Sequence, residues 1–220
     1  MSLRARASHA AFWSGVGWIT SYLLQFIVTI ITARLLAPEL FGLVALVLVL
    51  VGIVAVFAEA GTYAAIIQFD DIDGVVASAL IAVPLMGLIG TIAVGGTSWW
   101  LADFYGEPDL QPIALAMSGL LFLGALAIVP DALLARRFQV RVRKAGVNPL
   151  AIALYGAVVI IFATLGAGVW SLVAGQYASA VCFVVAAWYL ARPLRGAGRP
   201  RWSALMRVRR YGRSLLFAYL

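Results

Sequence analysis

Charge is scarce in this chain. Charged side chains make up only 11% of the 220 residues, 64% are hydrophobic, and the mean hydropathy is +1.02. A water-soluble domain is about half apolar and about a quarter charged. There are too few charges here to cover a soluble surface, and lipid is the solvent that fits. Cysteine and histidine each occur once, as Cys182 and His9, which excludes an internal disulfide and a Cys/His metal site within one chain. No G-x-x-x-x-G-K phosphate loop and no G-x-S-x-G elbow is present. Those gaps leave no catalytic residue to nominate, no metal site and no cofactor to expect.

Long apolar runs are what the chain has instead. Crossing the hydrocarbon takes about 20 apolar residues in a helix. Six runs meet that description, at residues 10–33, 41–58, 75–99, 113–129, 147–165 and 169–190, and a seventh begins at 211 and stops at 220. Barrel strands would alternate apolar and polar residues, and LVALVLVLVGIVAVF does not. Backbone amides in lipid must be satisfied within the structure, so helix is the expected form. The expectation is an all-α integral membrane protein: a six-helix transmembrane bundle over residues 1–210 and the truncated start of a seventh helix over 211–220. The first run is far longer than the ~7–15 apolar residues of a secretory signal and reads as a retained span. Pro84 should kink the third span, whereas Pro130 stands just past the end of the fourth. Gly87, Thr91 and Gly95, spaced by four, form a small-residue stripe suited to close helix packing.

The net charge of +7 comes from 16 cations, 15 of them Arg. They sit in the polar gaps. Two lie in the N-terminal tail and five in ARRFQVRVRK (residues 135–144). Eight follow the sixth run, and the opposite loops hold only Arg34. An excess of Lys and Arg marks the cytoplasmic side, so the N-terminus and both large basic loops are expected there. Anionic membrane lipids would be attracted by the same cations. No aromatic stacking platform accompanies the charge, which argues against nucleic acid as a partner. The segment at residues 59–73 is acidic, with no Lys or Arg, and is placed only by its neighbours. Its FDDID run reads as a hydrated loop or, alternatively, as a divalent-cation site beside a sugar nucleotide. Trp99, Trp100, Tyr105, Trp188 and Tyr189 stand near span ends, where aromatics favour the headgroup level.

Within span one, Ser14, Trp18, Ser21, Gln25, Thr29 and Thr32 recur every three or four residues and so share a helical face. Polar groups in lipid are costly unless they face protein or water. Two readings stand. The face hydrogen-bonds to other helices, or it walls a hydrated cavity that carries a polar cargo. Gln176, with Ser179, forms a smaller patch of the same kind in span six. Arg34 is either an anchor reaching the interface, paired with Glu39, or an attractor of phosphate entering the cavity. Asp131 is placed to pair with Arg136 or Arg137.

Five stretches carry a resemblance. ITARLLAPELFGLVAL (residues 31–46) resembles the A-R-L-L-x-P-E-x-F-G-L-x-A-L signature of oligosaccharide flippases of the polysaccharide-biosynthesis exporter family, in the multidrug/oligosaccharidyl-lipid/polysaccharide superfamily. EAGTYAAIIQFDDID (59–73) is similar to that family's second-loop pattern, with Phe69 where a basic residue is usual. FYGEPDLQP (104–112), PDALLARRFQVRVRKAG (130–146) and GAGVWSLVAGQ (166–176) follow in the family's order. The resemblance implies a transporter, not an enzyme, that flips a lipid-linked oligosaccharide across the bacterial inner membrane. It implies a cavity between two bundles, for which Arg34 and the polar face of span one are this chain's donors. Family members usually carry twelve or more spans, so this chain would need a second copy or a missing C-terminal half. The competing expectations are a membrane-embedded sugar transferase and a non-transporting scaffold or remnant.

Overall fold

The computed structural model describes residues 3–59, 61–68, 73–136 and 146–192. The run at 211–220, the cations at 137–144 and beyond Arg192, and Asp70 and Asp71 lie outside the described residues. Eight helices occur among those described: α1 (Leu3–Leu35), α2 (Pro38–Glu59), α3 (Thr62–Gln68), α4 (Asp73–Gly96), α5 (Ser98–Tyr105), α6 (Leu110–Arg136), α7 (Asn148–Thr164) and α8 (Val169–Ala191). Five of them, α1, α2, α4, α6 and α8, are long and apolar enough to cross a membrane; α7 is apolar but shorter, at 17 residues. At 1.5 Å per residue α7 reaches about 25 Å. The protein is thus a multi-pass membrane protein, all-helical among the described residues, with five helices of spanning length and a sixth apolar helix at the short end of the spanning range.

Three boundaries differ from the sequence expectation. The acidic stretch after α2 is not all loop, because α3 occupies Thr62–Gln68. Arg136 Nη1 donates to the carbonyl oxygens of Ile66 at 2.8 Å and Ile67 at 3.3 Å, supplying partners to acceptors that the end of α3 would leave open. The third run breaks at Thr97, where α5 starts as a separate helix. The hydroxyls of Thr97 and Ser98 donate back to Ala93 O and Gly95 O at 2.9 and 2.7 Å.

The third difference is at Pro130, which does not end the fourth run: α6 continues through it to Arg136. Proline removes the N–H that would bond the carbonyl four residues earlier, here Leu126. Trp188 Nε1 on α8 donates to Leu126 O at 2.9 Å. In lipid, a broken helix rung is tolerated when a neighbouring helix satisfies it. Trp188 is therefore half-buried and engaged with α6, whereas Trp99, Trp100, Tyr105 and Tyr189 are exposed.

The chain divides into two compact units, residues 1–45 with 137–186, and residues 46–136 with 187–220. In the second, α4 packs along α6, and Ile66, Val75, Ala79, Val83, Val129 and Leu133 belong to its buried core. The small-residue stripe of α4 meets α6. A Cβ on Gly87 would come within 2.4 Å of Ala125 Cβ, and Thr91 Oγ1 donates to Ser118 O at 3.0 Å. In the first unit α1 packs on α7. A Cβ on Gly156 would sit 2.4 Å from Val28 Cγ2, and one on Gly175 of α8 would sit 2.4 Å from Val159 Cγ2. Hydrogen at these positions lets the backbones approach closely. The turn from α7 to α8 needs left-handed backbone at Gly166 (φ 80°) and Gly168 (φ 55°), which glycine alone adopts without steric cost; this accounts for the G-x-G of GAGVWSL.

Candidate functional site: a polar–aromatic cleft between two helices

The close approach of α1 and α7 leaves an open cleft of about 270 Å³ where α7 begins, beside the middle of α1. Gly17, Trp18, Ser21, Tyr22 and Gln25 of α1 line it, facing Asn148 and Ile152 of α7. The α1 residues fall at steps of one, three and four, so one helical face presents them all. Asn148 is the first residue of α7 and Ile152 lies one turn on. The Trp18 and Tyr22 rings are 5.5 Å apart and tilted by 55°. Both are largely accessible, at 51% and 63% exposure. The cleft thus offers two ring surfaces, two amides and the hydroxyls of Ser21 and Tyr22, with no ionisable group other than the Tyr22 phenol among the described residues of its lining. Amides and hydroxyls both donate and accept.

The expected cavity residues divide. Trp18, Ser21 and Gln25 come together in the lining. Thr29 and Thr32 lie farther along α1 and turn their hydroxyls to their own helix. Thr29 Oγ1 donates to Gln25 O at 2.8 Å, and the buried Thr32 Oγ1 to Val28 O at 2.9 Å. Arg34 is exposed in the last turn of α1, where a cation suits the helix dipole. Nine residues separate it from Gln25, about 13 Å along the axis. It makes no ion pair with Glu39 among the described residues. Gln176 and Ser179 are half-buried on α8 and do not line the cleft. The Ser14 side chain lies outside the described residues. Tyr22, Asn148 and Ile152 are additions from the structure. Tyr22 could have been found as the residue one turn after Trp18, whereas Asn148 joins the site only through the α1–α7 packing.

A second polar group of residues lies in the other unit. Glu59, at the end of α2, is half-buried. Burial, and then the negative charge of Asp131, raise its carboxyl above the ordinary value of 4.5. Asp131 is buried on α6, and Arg136 directs Nη1 to the carbonyls of α3.

A family model described as "Polysaccharide biosynthesis protein" matches residues 31–220. The chain is 31% identical over 173 residues to the succinoglycan biosynthesis transport protein ExoT of Rhizobium meliloti (strain 1021), an alignment covering 77% of this chain and 34% of that relative. The chain thus spans about a third of the length of the curated relative it matches. No solved structure matches. With the family model covering all but the first 30 residues, the chain belongs to the polysaccharide biosynthesis protein family, and a transport protein stands among its relatives.

Proposed function

We propose that this chain forms the N-terminal part of a transporter that flips a lipid-linked oligosaccharide, a precursor of a surface polysaccharide, across the bacterial inner membrane. The observation that carries the reading is the α1–α7 cleft, a recess that gathers Ser21, Gln25 and Asn148 beside a helix otherwise rich in exposed apolar side chains, in a chain of a polysaccharide biosynthesis family. Polar groups at membrane depth are costly and mark pathways for polar cargo. The task needs no covalent step. Water around a sugar head is exchanged for fixed donors and acceptors while the lipid tail stays in the bilayer.

The charge pattern sets the orientation of this reading. If α7 counts as the fifth of six spans, the excess of Lys and Arg supports a cytoplasmic N-terminus with the basic segments at 136–144 and 192–213 on the same side. The apolar segment of α1, from Gly15, and α7 then both begin toward the cytoplasmic face, with the cleft in that half of each. A second bundle, from another copy or from further chain, closes the pathway, and Arg34, at the outer end of α1, meets the phosphates late. The test is reconstitution in proteoliposomes with a fluorescent lipid-linked oligosaccharide, read by chemical quenching of the outer-leaflet label. Protein-dependent loss of protection, reduced by Gln25→Ala, supports the reading; quenching identical to protein-free vesicles, with or without a second bundle supplied, refutes it.

A further inference from the structure

We infer that the α1–α7 cleft is a seat for one uncharged hexopyranose ring, so that the sugar part of a glycolipid, not its phosphate, is what it recognises. The inference rests on the transport reading and narrows the cargo contact to a chemical class. Three features lead to it. The first is the aromatic pair. Trp18 and Tyr22 present accessible rings 5.5 Å apart, and an aromatic face is a surface for the apolar C–H face of a pyranose. The second is the polar set. Ser21, Gln25 and Asn148 offer donors and acceptors together, which suits hydroxyls that are themselves both. The third is what the described lining lacks. Phosphate and pyrophosphate are read by Arg or Lys, and neither is among the described residues of the lining. A quaternary ammonium headgroup would call for a cage of aromatics or a carboxylate, and the described lining holds two rings and no acid. The volume, about 270 Å³, lies just below the ~300–1,000 Å³ range of small-ligand pockets, room for one ring.

The geometry also says where the ring would be met. Trp18 lies three residues into the apolar segment Gly15–Leu35 of α1, and Asn148 opens α7. The seat is at the start of α7 and in the first half of the apolar segment of α1, within reach of a head that stays near the membrane surface while its tail remains in lipid.

The test uses the full chain in nanodiscs of phosphatidylethanolamine and phosphatidylglycerol, with 5-fluorotryptophan in place of its seven tryptophans. The Trp18 ¹⁹F resonance is assigned by its loss in Trp18→Phe. Octyl β-D-glucopyranoside is titrated below its micelle concentration, against geranyl pyrophosphate, octyl phosphocholine and octanol. A saturable shift of the Trp18 line with the glucoside alone, weakened about five- to tenfold by Asn148→Ala or Gln25→Ala as expected for loss of one hydrogen bond, supports the seat. Shifts of equal size with octanol, or a larger response to the pyrophosphate or the phosphocholine, overturn it. Displacement of the glucoside by glucosyl diacylglycerol or by a polyprenyl-linked oligosaccharide then distinguishes a bilayer headgroup from the transported lipid. Should the cleft ignore the glucoside while the chain still moves lipid-linked sugar, the seat fails and transport stands. Should it bind the glucoside through Trp18 without moving lipid-linked sugar, transport fails and the seat stands.

Discussion

Replacing Trp188 with phenylalanine should expose how α6 survives Pro130. The substitution keeps an aromatic ring and removes one donor, the indole N–H that reaches Leu126 O at 2.9 Å. Leu126 cannot recover a bond within its own helix, because the residue four ahead is proline. A net hydrogen bond contributes about 0.5–1.5 kcal/mol, and losing one partner of a buried pair costs about 1–3 kcal/mol. Interhelical hydrogen bonds measured in a membrane average nearer ~0.6 kcal/mol. Leu126 is half-buried, so we expect about 1 kcal/mol, or about a fivefold shift in the folding equilibrium. Cys182, the one cysteine, is half-buried on the same helix as Trp188 and gives a built-in reporter. Its labelling by a fluorogenic maleimide during a thermal ramp in detergent follows the opening of α8. The decisive arm is the double mutant. Pro130→Ala restores an N–H that can bond Leu126 O along α6, so Trp188→Phe should then cost little, and the cycle should show a coupling of about 1 kcal/mol. An equal cost of Trp188→Phe in both backgrounds would refute the repair and reduce Trp188 to packing.

Three further outcomes rest on the same geometry. Gly156→Ala places a methyl 2.4 Å from Val28 Cγ2 and should destabilise the α1–α7 pair by about 1–3 kcal/mol, with most of the loss regained in the Val28→Ala, Gly156→Ala double mutant by the same melting assay. Arg136→Ala removes the donor to Ile66 O and Ile67 O; hydrogen exchange over residues 62–68 should quicken by about five- to thirtyfold, the equivalent of ~1–2 kcal/mol, with α4 unaffected. Glu59 has a carboxyl raised above 4.5 by burial and by Asp131. The folded chain therefore holds that proton at pH values where the unfolded chain has released it, so stability from this group falls as pH rises from about 4.5 through the folded value. Glu59→Gln should raise the melting temperature at neutral pH and flatten its dependence on pH above about 4.5; a steeper dependence in the variant would contradict the sign.

The spans were legible because lipid leaves one solution to the backbone: an apolar run of sufficient length has to be helix. Their ends were less so. Pro130 reads as a stop only if nothing can serve the freed carbonyl, and the residue that serves it, Trp188, lies 62 positions from Leu126. The helix at Thr62–Gln68 is seven residues long, too short for periodicity to separate it from loop, and its end is tied to Arg136 of α6. The cleft was legible by half. Period 3.6 alone puts Trp18, Ser21 and Gln25 on one face. The opposite wall is tertiary, set by the contact of Gly156 with Val28 that seats the start of α7 beside α1. Period says nothing of extent along the axis, which is why Thr29 shares the expected face yet lies beyond the lining, as Arg34 does farther on.

The Trp188–Leu126 contact also imposes an order in time. A ribosome completes α6 well before it reaches α8, and in that interval the nascent fourth span carries an open carbonyl beside its proline. Water, lipid headgroup or the insertion machinery must occupy that acceptor until the indole arrives, so the docking of α8 is a late step that locks a helix already inserted.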